Sequence, residues 1–314
     1  MCRLTGKGAT EEAMAELSFM SVHRHTIDPK RMEKAIQESL ERLPPMPAVI
    51  TRVMELTNDP NCTAQELQKV IGMDEVLSAK VLRLVNSARY GLPRRITTLS
   101  HAVILLGFET VRNLAIGAAT VRLVLRHGVN SPVNRQRFWE HSLETGLAAS
   151  TLAKHLRKDL ILREEMFLTG LLHDLGILFL SQSFPEEYRA VLERCQSLEE
   201  VQSVEQELLG ITHGEVGAKM VEHWNLPPVF AEVMLHHHAP VPGSPFFLQV
   251  GAVYLGDQIS YSIGAEELND QMPAIVPDIQ QAFRLDEASW NWCRREVAMQ
   301  MDSARDFLHI LQSP

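Results

Sequence analysis

Apolar residues recur along this chain at intervals of three and four, and no stretch alternates apolar with polar residues long enough to make a strand. Asp28-Pro29 opens a short helix over 28–42, an N-cap followed by a proline whose missing N–H costs nothing in the first turn. Leu43-Pro44-Pro45-Met46-Pro47 breaks the pattern, because each proline pushes its predecessor toward extended backbone. A helix restarts at Pro47, with Ile50, Val53, Met54 and Thr57 facing inward. Thr63-Ala64-Gln65-Glu66 reads as a capping box for a helix with Leu67, Val70 and Ile71 on its apolar face and Gly72 at its end. Asp74 starts the next, carrying Leu77, Val81, Leu84 and Val85, and Tyr90-Gly91-Leu92-Pro93 stops it. Ser100 is read as the cap of a short apolar helix ending at Gly107, and a longer one follows over 109–126.

Beyond Asn134 the same periodicity predicts helices over 134–156, 162–181, 185–195, 200–209, 213–224, 227–237 and 246–263. The last fifty residues add two more, the final one over 287–311 with Trp290, Val297, Met301 and Phe307 in its stripe. Short turns between short helices indicate an all-α multi-helix bundle. It divides into a smaller N-terminal helical subdomain, 38–133, and a larger bundle, 134–262, flanked by extensions 1–37 and 263–314. There is no fixed-period repeat and no low-complexity linker.

Composition sets outer bounds. With 45% hydrophobic and 22% charged residues the chain is an ordinary globular one. Its longest apolar stretches, such as Ala102–Gly107, fall short of the about 20 residues that span a bilayer, and the first residues carry no apolar block. A cytoplasmic protein with no membrane contact is expected. Cys2, Cys62, Cys195 and Cys293 make no CxxC pair, so they are read as reduced, small hydrophobes. The net charge of −9 argues against general nucleic-acid binding. Residues 48–127 nevertheless hold ten Lys and Arg against six Asp and Glu, a local +4 that leaves −13 elsewhere. Arg89, Tyr90, Arg94 and Arg95 could meet phosphates there, although a solvated basic turn is the simpler reading.

Thirteen histidines are many for 314 residues. Several stand at distinctive helical positions: His141, the adjacent His173-Asp174, His213 and the run His236-His237-His238, with Asp257 on a later helix. Divalent iron, manganese and zinc accept imidazole nitrogen and carboxylate oxygen, and a bundle can gather such ligands from facing helices. A helix turns about 100° per residue, so all three histidines of the run cannot face one point.

In this order the residues resemble the HD superfamily of metal-dependent phosphohydrolases. The resemblance to the HDOD subgroup is closer. It rests on Leu43-Pro44-Pro45-Met46-Pro47, Leu84-Val85-Asn86-Ser87-Ala88-Arg89-Tyr90-Gly91, Ala102-Val103-Ile104-Leu105-Leu106-Gly107, Phe138-Trp139-Glu140-His141-Ser142, Gly170-Leu171-Leu172-His173-Asp174-Leu175-Gly176, Thr212-His213-Gly214-Glu215-Val216-Gly217-Ala218 and Trp224-Asn225-Leu226-Pro227. It covers about residues 38–262. It implies an HD-like bundle with His141, His173, Asp174, His213, His237, His238 and Asp257 as ligands to a pair of divalent metals, iron, manganese or zinc.

The chain departs from the cyclic-dinucleotide phosphodiesterases of that superfamily. Ile177 stands where they have a lysine after the His-Asp, Ala239-Pro240-Val241-Pro242-Gly243 replaces their Gly-Tyr-Pro loop, and Arg137 occupies an acidic position. The resemblance therefore implies a bacterial signalling output module that is non-catalytic and works through a protein partner. The alternative is a metal-dependent phosphohydrolase acting on a nucleotide or cyclic dinucleotide. Trp290 and Trp292 are read as core, with a homodimer face as the other use.

Overall fold

The structure is a computed structural model and describes residues 28–57, 59, 61–125, 131–195, 200–264 and 272–313. Among them there is no strand. The helices are α1 (Pro29–Glu41), α2 (Ala48–Thr57), α3 (Ala64–Ile71), α4 (Glu75–Val85), α5 (Leu99–Leu106), α6 (Phe108–Leu125), α7 (Arg135–His155), α8 (Leu160–Leu172), α9 (Leu175–Ser183), α10 (Pro185–Arg194), α11 (Val201–Leu209), α12 (His213–His223), α13 (Pro228–His236), α14 (Phe247–Gly264), α15 (Pro277–Phe283) and α16 (Glu287–Gln312). The expected all-α bundle is what forms. No single described helix is long and apolar enough to cross a membrane. His23, His25 and Cys2 lie outside the described residues.

Local chemistry sets the helix ends. Asp28 caps α1 through Lys30 N–H, the Thr63–Glu66 box caps α3, and Asp74 caps α4. The short apolar helix departs from expectation. Its cap is Thr98, whose hydroxyl accepts from His101 N–H, while Ser100 lies inside α5 and donates from its N–H and hydroxyl to Gln68 Oε1. Either hydroxyl could have served, and the neighbouring amide captured Ser100.

The expected helix over 162–181 is two helices, α8 and α9, parted at His173-Asp174. No proline stands at the break, and the glycines on either side of it, Gly170 and Gly176, lie within the two helices. Tertiary contact makes it. Asp174 leaves the helical region at φ −100° and ψ 15°, and α9 packs against the start of α12 so closely that a Cβ at Gly176 would strike the His213 carbonyl.

The core runs unbroken through both groups of helices. α7, α8 and α14 form its centre, and α16 lies across the two groups, packing on α4 and α6 as well as on α7 and α14. Trp290, Val297, Met301 and Phe307 are buried along α16 as the stripe requires, while Trp292 is half-buried beside His155. The Lys80 ammonium, 2% exposed on α4, donates to the Leu311 and Ser313 carbonyls and so satisfies the last turn of α16.

Arg89 and Tyr90, expected on a basic surface turn, are instead half-buried and turned inward. Glu164 of α8 accepts from Arg89 Nη2 at 2.9 Å and from the Tyr90 hydroxyl at 2.8 Å. The Arg89 guanidinium lies 3.4 Å from the centroid of the Phe167 ring, with Phe307 of α16 beyond. Those two groups are committed to Glu164, and of the four residues Arg94 and Arg95 are the exposed ones.

Candidate metal centre

Close helix crossings bring the candidate ligands together. α7 and α8 touch where Gly146 meets Gly170; a Cβ on Gly170 would stand 2.8 Å from the Gly146 Cα. α14 is equally tight on α7, where a Cβ on Gly256 would lie 2.6 Å from the Thr145 carbonyl. Only unsubstituted carbons permit these approaches. Each glycine lies within five residues of a ligand: Gly146 of His141, Gly170 of His173 and Gly256 of Asp257. His213 is the first residue of α12, presented by the Thr212–Glu215 capping box, and His237 caps α13.

All seven expected residues meet in one buried cluster, in two triads joined by Asp174. On one side His141 Nε2 lies 3.1 Å from Asp257 Oδ1 and 3.7 Å from Asp174 Oδ2, and His173 Nε2 lies 3.1 Å from Asp174 Oδ2. On the other, Asp174 Oδ1 lies 3.6 Å from His213 Nε2 and 3.4 Å from His237 Nε2, with His238 Nε2 3.1 Å from His213 Nε2. Of the run of three, His237 and His238 face the centre; His236 is half-buried and outside the cluster.

Each ring is steered from behind. His173 Nδ1–H donates to the Gly170 carbonyl at 2.7 Å and His237 Nδ1–H to the Met234 carbonyl at 2.9 Å. His141 Nδ1–H donates to Ser260 Oγ at 3.0 Å, whose own hydroxyl donates to Glu144 at 2.6 Å. Tyr261 stacks on the His141 ring at 4.9 Å. With Nδ1 so occupied, each of these three rings turns its Nε2 inward. The result is a set of orphans: His141 Nε2, His173 Nε2, His237 Nε2, Asp174 Oδ1 and Asp257 Oδ1 are sealed from solvent and make no hydrogen bond. Buried polar atoms without partners are rare and costly. Five converging on one point are the donor set of a cation, so this His/Asp cluster could bind a metal.

The charges agree with that reading. Burial would raise the Asp174 carboxyl, but His173, then His237 and His213, outweigh it and hold it well below the ordinary carboxylate range. Asp257 is lowered in the same way, burial being overcome by His141. Burial lowers His238 far below the usual imidazole value, with the neighbouring His237 and His213 adding to it. Burial also acts against charge on His213, yet the Glu205 carboxylate raises it to about 9. Metal-free, a charged His213 can therefore donate through Nε2 to a neutral His238.

Three groups around the centre escaped sequence reading: Glu205, Ser260 and Tyr188. Glu205 could have been found, because it falls on the apolar stripe of Val201, Val204 and Leu209, where a carboxylate needs a buried partner. Arg137, by contrast, is exposed and paired with Glu140 at 3.6 Å. Ile177 lies one turn into α9, its N–H donating to the Asp174 carbonyl.

Residues 43–240 match the family model of the HDOD domain. Among solved structures, an HDOD domain protein with unknown function from Geobacter sulfurreducens is 25% identical, with a TM-score of 0.63 over 91% of this chain and 99% of its own. A protein from Shewanella amazonensis SB2B, provisionally named a phosphohydrolase, is 24% identical with a TM-score of 0.69, covering 88% of this chain and 98% of its own. One from Marinobacter aquaeolei VT8, provisionally named a signal transduction protein, is 24% identical with a TM-score of 0.71, covering 94% of this chain and 68% of its own. An uncharacterized protein of Treponema pallidum (strain Nichols) is 24% identical over 249 residues, which are 77% of this chain but 47% of that protein; the chain thus spans about half the length of this curated relative.

Proposed function

The chain belongs to the HDOD domain family, and on that premise we propose that it is a bacterial signal-output module whose core is fastened by a pair of divalent metal ions. It acts through a protein partner rather than by turning over a substrate. The observation that carries this reading is the set of five partnerless ligand atoms, none of which touches solvent. One ion would take His141, His173, Asp257 and Asp174 Oδ2; the other would take His213, His237, His238 and Asp174 Oδ1. The mixture of imidazole and carboxylate suits iron, manganese or zinc. Such a pair, when bound, supplies Lewis acidity and a water of lowered pKa.

A hydrolase must also admit substrate and handle its charge. Here five of the ligand atoms are sealed, and Ile177 offers neither charge nor hydrogen bond. Met73, Val76, Ile104 and Leu105, all exposed between α3 and the end of α5, are apolar groups that a partner would cover. The second reading, a metal-dependent phosphohydrolase acting on a nucleotide or cyclic dinucleotide, is favoured by one observation. The two oxygens of Asp174 face separate triads, which is how a carboxylate bridges two metals.

Elemental analysis of the purified chain, followed by assay of cyclic dinucleotides with Mn²⁺ and Fe²⁺, separates the readings. Metal without turnover is expected. Sustained hydrolysis would overturn the non-catalytic conclusion, and a metal-free chain that cannot be loaded would overturn the centre itself.

A further inference from the structure

Glu205 is a fully buried carboxylate that is not a candidate ligand, yet it grips one. Its Oε2 accepts twice from His213, from the backbone N–H at 2.8 Å and from Nδ1–H at 2.7 Å. Its Oε1 accepts from the hydroxyl of Tyr188, itself 1% exposed, at 2.8 Å. Both ends of the carboxylate are therefore fixed, one by α10 and the other by the first residue of α12.

The supports of the neighbouring rings are of another kind. His173 and His237 rest on backbone carbonyls and His141 on a hydroxyl. A carbonyl or hydroxyl orients a ring; a carboxylate also strengthens the far nitrogen as a donor to a cation, because charge-assisted hydrogen bonds are the stronger kind. The double contact to the N–H and Nδ1–H of one residue also fixes the ring's rotation. Glu205 accepts from a tyrosine hydroxyl, a peptide N–H and an imidazole, with no lysine or arginine among these donors. Its negative charge is thus directed through His213 toward the centre.

We propose that Glu205, clamped by Tyr188, is a positioning residue that holds His213 Nε2 toward Asp174 and so controls metal affinity selectively at the His213–His237–His238 position. The proposal rests on the metal pair above and adds that its two positions are separately controlled.

The test titrates the full chain, stripped of metal, with Mn²⁺ and with Co²⁺ at pH 8, the latter read by its visible spectrum. The unaltered chain fills both positions. In Glu205→Gln one position keeps its affinity and the other weakens by about 10–100-fold; Tyr188→Phe weakens the same position by less. Nitrogen-15 labelling of histidine in the metal-free chain gives a readout independent of metal. A far-downfield His213 Nδ1 proton is expected in the unaltered chain and in Tyr188→Phe, and lost in Glu205→Gln. If Glu205→Gln does not fold, Tyr188→Phe decides, since its loss must fall on the His213 position alone. A Glu205→Gln chain, or in that case a Tyr188→Phe chain, that fills both positions with unaltered affinity overturns the proposal and leaves the metal pair standing. An unaltered chain that takes up neither ion overturns both.

Discussion

The Arg89–Glu164–Tyr90 cluster and the His–Asp centre are both largely withdrawn from water, but the first closes on itself and the second does not. Both oxygens of Glu164 have donors, the guanidinium is covered by Phe167, and Arg89 Nε alone lacks a partner. The centre leaves five atoms facing one another without a bond. A closed buried network is architecture, holding α8 to the N-terminal helices and to α16. An open one costs free energy until something enters it.

The largest expected effect breaks the closed cluster. Arg89→Met leaves Glu164 buried without its cation and should cost about 3–5 kcal/mol in chemical denaturation. Metal content of the surviving folded fraction should not change; if it falls, the two clusters are not separate. Next is the open centre. Loading the metal-stripped chain at a thousandfold excess over Kd should raise stability by about 4 kcal/mol. Asp174→Asn, which removes the shared carboxylate, should abolish that gain.

The third effect is on pH. His213 is raised from its ordinary 6.5 to about 9, so in the metal-free chain its contribution to stability is complete below 6.5 and fades as pH climbs through 9. Metal must displace that proton. Affinity at this position should therefore rise about tenfold per pH unit up to about 9, with a proton released on binding that calorimetry in buffers of differing ionisation enthalpy would count. A flat profile would mean that His213 is neutral before metal arrives. The smallest effect is at Thr212, the cap that presents His213; Thr212→Ala should cost about 1 kcal/mol by thermal melting.

The same contrast explains what could be read from the chain beforehand. The capping residues Asp28, Thr63 and Asp74 act over three residues, so their effect is local and visible. The seven candidate ligands came from the resemblance carried by the ordered motifs; helical position alone left open which of His236, His237 and His238 face inward. The break between α8 and α9 was invisible, since it is imposed by α12 from across the fold. Glu164 was hidden in the polar run Arg163-Glu164-Glu165, where nothing distinguishes the inward carboxylate from the outward one. Arg89 and Tyr90 looked basic and exposed because their partner lies 75 and 74 residues away.

The start of α1 sits against the turn that ends α11: a Cβ on Gly210 would come within 2.7 Å of the Pro29 carbonyl, and α1 also packs on α12. α11 carries Glu205 and α12 begins with His213, so α1 is a lever resting on both hands that hold one ring. A change that loosens α1 is therefore expected to reach that ring without touching the centre itself.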